Sequence, residues 1–365
     1  MKLICNLSTL GSQPTGMGTY VENCVSGLAE RFDLDLIAGS GKLPRGNVLF
    51  KAPESIGIDK GKLAAIRRHL WAHSLRFDPD RLVYAPTPHG VGNHSRQIIT
   101  VHDIIRLHYP GDAPHMYVNL RFLLPRLMKN CRAVFTVSET SRQDIFRAYG
   151  YPLERIFVVP NGIDTTVFNP DPSVRAGRDP FLLMVGGRHP HKNVSETLDM
   201  SQYWRNDYRL IIASCPPGSH RRTLERKVFD LGLADRVEFK SFLTHDELLH
   251  LYQGATALLY TSRMEGFGIP PLESLACGTP VIASDISALR EVLGEAVQYI
   301  KLGNPQSWIE AINSLSDSSA VNSRLVEGQK VLSKFTWNNS VNALEHALLS
   351  VEPRLEDSRR SSGNC

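Results

Sequence analysis

The segment TALLYTSRMEGFGIPPLESLACGTPVIASD (residues 256–285) contains two short aliphatic runs on either side of a proline-rich stretch. The runs at 256–262 and 279–285 have the length and composition of buried strands. The stretch between them contains two consecutive prolines, which suit the first turn of a helix, and ends at Gly278, which suits a helix C-terminus. We therefore predict a helix at 270–277. A strand, a helix and a second strand in this order predict a parallel sheet covered by helices.

Two glutamates of this segment predict a ligand site. Glu265 lies in the loop before the predicted helix, and Glu273 lies in its first turn. The loop can fold back so that both carboxylates face one place, while the amides of Gly266, Phe267 and Gly268 and the helix dipole favour an anion. Carboxylates accept hydrogen bonds from sugar hydroxyls, so the segment favours a nucleotide-sugar. A carboxylate that only complements the helix dipole explains Glu273 but neither Glu265 nor the glycines.

The rest of the chain repeats the alternation of short strands and helices. The predicted strands are 2–8, 33–39, 81–86, 97–103, 133–138 and 156–161 in the first half, and 181–187, 209–214, 236–242, 256–262, 279–285 and 296–300 in the second. A polar stretch rich in Pro, Asp and Gly at 162–180 is the best linker candidate. We therefore expect an α/β fold of two doubly wound, Rossmann-like domains facing each other across a cleft, with ligands beyond the carboxyl ends of the strands.

The expected domains are 1–165 and 175–334. Large apolar residues fall on one helical face in 335–352, which predicts a further helix after the second domain. The polar residues 353–365 are expected to form a mobile, dispensable tail.

Composition excludes several classes of protein. The chain is 42% hydrophobic and 21% charged, as in ordinary globular proteins. Its net charge of +4 permits a phosphate-rich ligand or an anionic membrane surface but is far from the signature of nucleic-acid binding. The six cysteines are dispersed, so we expect reduced, buried thiols in a cytosolic protein. The N-terminus lacks the apolar core of a signal peptide, and no transmembrane helix is expected.

Two further loops follow predicted strands. After the first strand, Gly16 and Gly18 would let backbone amides approach an anion at a helix N-terminus, or they simply make the turn; both interpretations stay open. After the strand at 181–187, Arg188 and Lys192 flank a tight turn of glycine and proline. A bidentate guanidinium and a point charge suit a diphosphate, with a solvated basic loop as the alternative.

These motifs together resemble the retaining glycosyltransferases of the GT-B fold, group 1 (family GT4). The string EGFGIPPLE at 265–273 is similar to the family's E-x7-E motif. The strings TGMGTYVENC, TVHDIIRLHYP, VVPNGIDTTVF and GGRHPHKN accompany it in the family's order. The resemblance spans nearly the whole chain and is strongest to bacterial mannosyl- and rhamnosyltransferases of surface-polysaccharide synthesis.

The resemblance implies roles for the residues of the opening segment. Glu273 would accept hydrogen bonds from the nucleotide ribose, and Glu265 would contact the transferred sugar near its 3-hydroxyl. The amides after Glu265 would lie close to the sugar and phosphates. The other donor-binding residues implied by the family are Gly266, Phe267, Gly268 and Leu272.

The resemblance also implies roles for the remaining loops. Arg188 and Lys192 match the cations that neutralise the diphosphate leaving group. Gly16 and Gly18 match the loop that closes over it from the first domain. His102 matches a first-domain histidine near the reacting sugar. On these grounds Glu265, Arg188, Lys192 and His102 are the expected catalytic residues.

The family's chemistry is sugar transfer with retained anomeric configuration, in which the leaving phosphate oxygen helps to deprotonate the acceptor hydroxyl. The first domain would bind the acceptor and the second the nucleotide-sugar, and the helix at 337–352 would cross back to the first domain. We expect no cofactor and no essential metal. The D-x-D strings at 33–35 and 78–80, which bind Mn²⁺ in the other large glycosyltransferase fold, read here as a strand and a turn.

The resemblance favours GDP-mannose or a related GDP-sugar as donor and leaves UDP-sugars open. The expected acceptor is a glycan, in such enzymes usually a lipid-linked oligosaccharide, but neither it nor the linkage follows from the sequence. The segment 119–134 carries four basic residues among apolar ones. It could lie on an anionic membrane or merely cover the sheet, so the expected location is the cytoplasm with membrane contact left open.

Two other classes of function remain as alternatives. A GT-B-fold sugar-nucleotide epimerase would bind the same donor without an acceptor, and the EGFGIPPLE string argues against it. A non-catalytic nucleotide-sugar-binding protein is the other alternative. The intact set of Glu265, Glu273, Arg188 and Lys192 argues against that interpretation.

Overall fold

A computed structural model describes residues 2–11, 16–56, 62–92, 94–111, 114–175 and 179–359. The chain divides into two compact units. The first combines Met1–Gly162 with Trp337–Cys365, and the second is Ile163–Thr336. Each unit is built around its own parallel sheet.

Within the described residues, the first sheet has seven strands and the second has six. The strands of the first unit are β1 (Leu3–Asn6), β2 (Leu34–Ala38), β3 (Asn47–Lys51), β4 (Val83–Ala85), β5 (Gln97–Thr100), β6 (Cys131–Thr136) and β7 (Ile156–Val158). Those of the second unit are β8 (Phe181–Val185), β9 (Arg209–Ala213), β10 (Val237–Phe239), β11 (Ala257–Tyr260), β12 (Val281–Ser284) and β13 (Gln298–Ile300).

Helices and short helical turns lie between most of the strands. The α-helices are α1 (Gly16–Arg31), α2 (Lys62–Ser74), α3 (Ile105–His108), α4 (Pro114–Val118), α5 (Leu124–Lys129), α6 (Glu139–Tyr149), α7 (Pro172–Arg175), α8 (Val194–Asp199), α9 (Ser219–Asp230), α10 (His245–Gly254), α11 (Ile269–Ala276), α12 (Ser287–Leu293), α13 (Pro305–Asn313), α14 (Ser318–Lys334) and α15 (Trp337–Val351). Short 3-10 turns lie at 54–56, 153–155, 190–192, 201–203, 314–316 and 353–358, and a π-turn at 119–123.

The two sheets share one topology. The strand order is β3-β2-β1-β4-β5-β6-β7 in the first and β10-β9-β8-β11-β12-β13 in the second, with every paired strand parallel. The order reverses direction between β1 and β4 and between β8 and β11. Doubly wound sheets bind ligands outside the carboxyl ends of the strands at such a reversal. The predicted fold class of two Rossmann-like domains is therefore confirmed.

Alternate residues of β1 show why both faces of the first sheet are covered. Leu3 and Cys5 pack into a core with α1, whereas Ile4 packs into a separate cluster that includes Trp71 of α2. Successive side chains of a strand point to opposite faces, so helices on both sides require an uninterrupted apolar run. The sequence of β1 has that run, which is why its strand was predictable.

β3 is the strand that the sequence did not predict. It pairs with β2 and forms the edge of its sheet, and four of its five residues are exposed. An exposed edge strand does not need the buried apolar run by which the other twelve were found.

The helix α15 packs on α1 within the first unit. Leu344 and Leu348 are fully buried in the same core as Leu28. A Cβ at Gly27 would lie 2.4 Å from Cγ2 of Val341, so only glycine lets the two helices approach this closely. The C-terminal segment is therefore part of the first unit's core, although it follows the second unit in sequence.

The start of the C-terminal tail is ordered, which corrects the prediction of mobility from residue 353. Leu355 is fully buried in the first unit's core. Arg359 forms an ion pair with Glu345 at 2.7 Å. One apolar residue among many charged ones was enough to anchor 353–359, and a local polarity pattern does not reveal that. The rest of the tail lies outside the described residues.

The polar stretch proposed as a linker belongs mostly to the second unit. The unit boundary follows Gly162, at the start of 162–180. Phe168 is buried, and Nε2 of Gln253 donates to the carbonyl of Asn169 at 2.9 Å. Tertiary contacts therefore fix a segment whose composition resembles a loop.

Five cysteines are free and buried, and the sixth, Cys365, lies outside the described residues. Among the residues that the structure describes, no helix combines the length and the apolar character needed to cross a membrane.

Candidate active site

The candidate site lies at the carboxyl edge of the second sheet, where β8 and β11 are neighbours. The loop 186–193 follows β8, and the loop 261–268 follows β11. The strand order reverses between these two strands, which is where a doubly wound sheet offers a crevice to a ligand. The residues predicted for the second domain lie on these two loops and on α11.

Lys192 lies between two buried side chains. Its Nζ donates to Oη of Tyr260 and to Oε1 of Glu265, each at 2.6 Å. The side chains of Lys192 and Glu265 are 12% and 8% exposed, and Tyr260 is buried. The Tyr260 hydroxyl therefore accepts from the same ammonium that pairs with Glu265. A buried ion pair needs such additional hydrogen bonds to offset desolvation.

Several hydrogen bonds fasten the Lys192 loop to the loop after β11. The amide of Arg263 donates to the carbonyl of His191 at 2.8 Å, and Oγ1 of Thr261 donates to that of Lys192 at 3.2 Å. Nε of Arg263 donates to Oδ1 of Asn193 at 3.0 Å. Asn193 has a φ of 59°, a left-handed conformation that asparagine tolerates better than most residues. The position of Lys192 is thus set by both strand ends.

A glycine makes room for the lysine. Gly186 has a φ of 83°, and a Cβ there would lie 3.3 Å from Cε of Lys192. The aliphatic stem of Lys192 therefore lies close to bare backbone, and the positive φ favours glycine here.

Glu273 has a different environment. Its Oε2 accepts a hydrogen bond from the hydroxyl of Tyr252 on α10 at 2.6 Å, and its side chain is partly buried. α11 begins at Ile269, one residue earlier than predicted, so Glu273 lies in the second turn and the prediction of the first turn is wrong. Dipole effects fall off within the first turn, which weakens the purely helical explanation of this carboxylate.

The two carboxylates differ in their affinity for a proton. Burial raises the pKa of Glu273 to about 7, with the Tyr252 hydroxyl and the more distant Lys192 charge acting in the opposite direction. Burial acts in the same upward direction on Glu265, but the adjacent Lys192 ammonium outweighs it and holds the pKa of Glu265 below its ordinary value. Two chemically identical carboxyl groups therefore differ in pKa because only one of them contacts a cation.

Packing fixes the turn between Glu265 and Glu273. Gly268 caps α11 with a φ of 104°, and a Cβ there would lie 2.7 Å from Cδ2 of Leu289. Phe267 is buried and meets Phe335 edge-to-face with ring centroids 5.2 Å apart. Leu272 is fully buried, so its side chain serves the core and only its backbone is available to a ligand.

Arg188 is the exposed cation of the site. Its amide donates to the carbonyl of Ser214 at 3.1 Å, which fixes the backbone. Among the described residues, its guanidinium has no hydrogen-bond or ion-pair partner. All five donors of this side chain are thus available to an anionic ligand.

His102 belongs to the first unit, in the loop that follows β5. Its Nε2 lies 3.1 Å from the carbonyl of Pro86, which can only accept, so Nε2 carries the proton and Nδ1 is the acceptor. Burial lowers the pKa of His102 to about 4, although the Pro86 hydrogen bond raises it. The ring of Tyr20 lies edge-on at 4.8 Å. His102 is therefore a neutral hydrogen-bond acceptor at neutral pH.

The two N-terminal glycines lie within a helix. Gly16 is the first residue of α1, and Gly18 is its third. The prediction placed them in a loop before the helix, and residues 12–15 of that loop lie outside the described residues.

Sequence reasoning missed Tyr252 and Tyr260. Tyr260 ends β11, and a strand-end tyrosine five residues before Glu265 was a usable signal. Tyr252 lies on another helix, 21 residues before Glu273. Its proximity to Glu273 depends on how α10 packs beside α11, so no local pattern reveals it.

Comparisons with known proteins agree with this geometry. The family profile described as "Glycosyltransferase Family 4" matches residues 14–167, and the one described as "Glycosyl transferases group 1" matches residues 168–331. The chain is 34% identical over 329 residues to the O-antigen chain mannosyltransferase RfbU of Salmonella typhimurium, covering 86% of this chain and 90% of that protein. It is 25% identical over 372 residues to O-antigen chain mannosyltransferase B of Escherichia coli, covering 93% and 97%.

Solved structures show the same fold. Sucrose-phosphate synthase from Thermosynechococcus elongatus superposes with a TM-score of 0.73 at 18% identity, covering 98% of this chain and all of that one. The lipopolysaccharide glycosyltransferase WaaG gives a TM-score of 0.65 at 15% identity, covering 96% of this chain and all of that one. Two parallel-sheet units, a cation and two glutamates at one strand edge, and these matches lead to one conclusion: the chain is a GT-B glycosyltransferase of group 1, family 4.

Proposed function

We propose that this glycosyltransferase moves a mannosyl residue from GDP-mannose, with retention of configuration, to a lipid-linked glycan of a surface polysaccharide. The observation that carries the proposal is the cluster of Lys192, Tyr260 and Glu265 at the carboxyl edge of the second sheet. The similarity to two O-antigen chain mannosyltransferases over most of their length supports the sugar and the pathway class.

The cluster leaves hydrogen-bonding capacity for a ligand. An ammonium has three donors, and Lys192 uses two of them on Tyr260 and Glu265. The third is available to a phosphate oxygen. Glu265 binds Lys192 through Oε1, which leaves Oε2 with capacity to accept from a sugar hydroxyl. The pair can therefore contact the leaving group and the transferred sugar together.

In this proposal, two cations stabilise the negative charge that grows on the departing diphosphate. Lys192 is fixed before the ligand binds, whereas the exposed guanidinium of Arg188 is free to close on the phosphates. Fixed donors aimed at developing charge are the largest contribution to catalysis in many enzymes. These two side chains supply the positive charge that a divalent metal supplies elsewhere, so activity is expected to persist in EDTA.

In this proposal the leaving phosphate oxygen takes the proton of the acceptor hydroxyl. His102 is neutral and weakly basic, so it acts in this proposal by accepting a hydrogen bond through Nδ1 from the donor sugar. Glu265, held as a carboxylate by Lys192, accepts in this proposal from the 3-hydroxyl of the transferred sugar.

The test uses purified protein with GDP-mannose, GDP-fucose, UDP-glucose and UDP-galactose. Each is supplied with membranes from a strain lacking the gene, and mass spectrometry follows the lipid-linked intermediates. We expect one added hexose with GDP-mannose alone, and an α-configured product by NMR. Transfer from a UDP-sugar alone would replace the donor assignment. Conversion of the nucleotide-sugar without any acceptor would indicate an epimerase.

The proposed lipid-linked acceptor calls for a membrane-facing surface, and a basic and apolar patch of the first unit has that character. Residues 114–129 form one helical stretch in which α4, the π-turn and α5 follow each other directly. Pro125 has no N–H to donate, and the preceding π-turn absorbs the interrupted hydrogen bonding. The exposed apolar side chains of this stretch are Met116, Val118, Phe122 and Leu123.

The same stretch is positively charged. Arg121, Arg126 and Lys129 are exposed, and 114–129 contains no Asp or Glu. Phe122 is 50% exposed. Apolar side chains that enter the interface, next to cations that meet anionic headgroups, are the recognised combination for peripheral binding. We assign this patch to an anionic lipid surface.

Vesicle sedimentation tests the membrane assignment. The protein is expected to bind vesicles of phosphatidylcholine with 30% phosphatidylglycerol and not phosphatidylcholine alone. Phe122→Ser with Leu123→Ser should weaken binding about tenfold or more, since two partly exposed apolar side chains are lost. Phe229→Ser, at a residue of α9 that is 78% exposed, is the matched control and should bind normally. Equal binding by all variants would contradict the assignment.

A further inference from the structure

Tyr252 is an unusual residue type for a fully buried position. It is fully buried on α10, and its ring packs edge-to-face on Phe168 with centroids 6.1 Å apart. Phenylalanine would fill such a site without bringing a hydroxyl that must be satisfied. The hydroxyl instead donates to Oε2 of Glu273 at 2.6 Å. This contact therefore explains the tyrosine better than packing does.

The hydrogen bond constrains what Glu273 can do. A donor on Oε2 fixes the carboxylate plane and leaves Oε1 for another partner. It also stabilises the ionised carboxylate more than the protonated acid, because a carboxylate is the stronger acceptor. A ribose diol needs such an oriented, charged acceptor.

We propose that Tyr252 is a positioning residue that orients Glu273 and keeps it ionised for binding the nucleotide ribose. The inference rests on the proposed function in one respect, namely that Glu273 contacts the nucleotide. The inference adds to that proposed contact a residue of α10 that acts through Glu273 and not on the nucleotide.

The groups that face Glu273 define how its charge is controlled. Burial raises the pKa of Glu273 to about 7, and the Tyr252 hydrogen bond and Lys192 lower it. The nearby Tyr260 and Cys277 are neutral, because burial raises the pKa of each well above its ordinary value. The Tyr252 hydroxyl is thus the direct neighbour that favours the ionised form, and Lys192 is the distant one.

The experiment measures the affinity of GDP, or of UDP if it binds more tightly, between pH 6 and 9 by calorimetry. Wild-type affinity should rise with pH and level off above about pH 8. In Tyr252→Phe the rise should move upward by about one pH unit. The variant should therefore bind about eightfold more weakly at pH 6.5 and within twofold of wild type at pH 9. Glu273→Gln should keep only the smaller rise near pH 6 that comes from ionisation of the terminal phosphate of the nucleotide.

Two controls separate positioning from packing. Tyr208→Phe removes a partly buried phenol at the amino end of β9, where the hydroxyl has no hydrogen bond to the described residues, and should leave the profile unmoved. The ¹³C shift of the Glu273 carboxyl, assigned by its loss in Glu273→Gln, should titrate at higher pH in Tyr252→Phe without any ligand. A merely structural role would lower the melting temperature and leave both titrations in place.

The outcomes distinguish this inference from the proposed function. Nucleotide binding with a pH rise that Tyr252→Phe does not shift, and an unmoved carboxyl titration, would overturn the inference alone. Absence of any GDP or UDP binding by wild type would overturn the proposed function and the role of Tyr252 with it.

Discussion

Glu265 and Glu273 are eight residues apart on one segment, yet their surroundings act on them in opposite ways. Glu265 contacts an ammonium, and its pKa lies below the ordinary value. Within the described residues, the side chain of Glu273 accepts its hydrogen bond from a phenol, and burial raises its pKa to about 7. Both are desolvated, so the difference comes from the cation on one side.

The difference suits two different tasks. A carboxylate paired with a fixed cation stays charged through the reaction and can orient a sugar while the cation holds phosphate. A carboxylate that titrates near neutral pH binds a ribose diol with pH-dependent strength. We therefore expect the Glu265 environment to control turnover and the Glu273 environment to control nucleotide affinity.

Removing the cation should have the largest effect. Lys192→Met keeps the aliphatic stem beside Gly186 and deletes the charge. We expect turnover to fall about 10²–10³-fold, the loss typical of one fixed donor to developing charge. Steady-state kinetics with GDP-mannose measures it.

Lys227→Met is the matched control, because it deletes a lysine that pairs with Asp199 at 2.6 Å on helices α9 and α8. It should keep wild-type turnover. In a double-mutant cycle, Glu265→Gln should cost less in the Lys192→Met background than alone, since the two residues are in contact. Full additivity would contradict the coupling between them.

Exchanging the carboxylates for amides should separate the two tasks. Glu265→Gln should lower kcat about 10–100-fold and leave GDP affinity within twofold, whereas Glu273→Gln should weaken GDP binding about tenfold. Calorimetry and kinetics on both variants provide the comparison. Equal losses of GDP affinity would show that Glu265 also binds the nucleotide.

The turn between the glutamates should be sensitive to a single methyl group. Gly268→Ala combines a φ of 104° with a contact of 2.7 Å to Leu289, so we expect a loss of about 2 kcal/mol of unfolding free energy. Gly232→Ala, at a φ of 64° with open space around the Cβ, should lose only about 1 kcal/mol. Urea denaturation measures both, and equal losses would mean that Leu289 moves aside.

The pH dependence of stability should differ in sign between the two sites. The raised pKa of Glu273 stabilises the fold below about pH 4.5, and this contribution is lost as pH rises through about 7. The lowered pKa of Glu265 stabilises the fold above its unfolded value and is lost as pH falls.

Relative to the corresponding Gln variants, wild type should therefore lose about 2–3 kcal/mol between pH 5 and 8 through Glu273, and gain stability between pH 3 and 5 through Glu265. Parallel urea series on the three proteins measure the two slopes. Slopes of the same sign would contradict the assignment of opposite pKa shifts.

Most of the fold could be predicted because parallel strands buried on both faces must be apolar throughout. That rule found the strands on both sides of 162–180, but it could not find the exposed edge strand at 47–51. It also gave no indication that Leu355 would anchor the residues after α15. Edge strands and single anchors carry too little local signal.

The sequence likewise predicted some residues of the candidate site and missed others. Lys192 and Glu265 lie on loops that follow strands, Glu273 lies on the helix after the second of these loops, and their chemistry is visible in the sequence. Tyr252 comes from α10, and its contact with Glu273 exists only because α10 packs beside α11. The start of α11 at Ile269 likewise moved Glu273 out of the first turn.

The sequence by itself therefore determined the class of fold, the edge of the sheet that carries the chemistry and the residue types available there, because periodicity and strand-end position are local properties. Only the tertiary structure decided which glutamate has a cation and which has a phenol. The proton affinity of a buried carboxylate depends on neighbours within a few ångströms, and those neighbours come from distant parts of the chain.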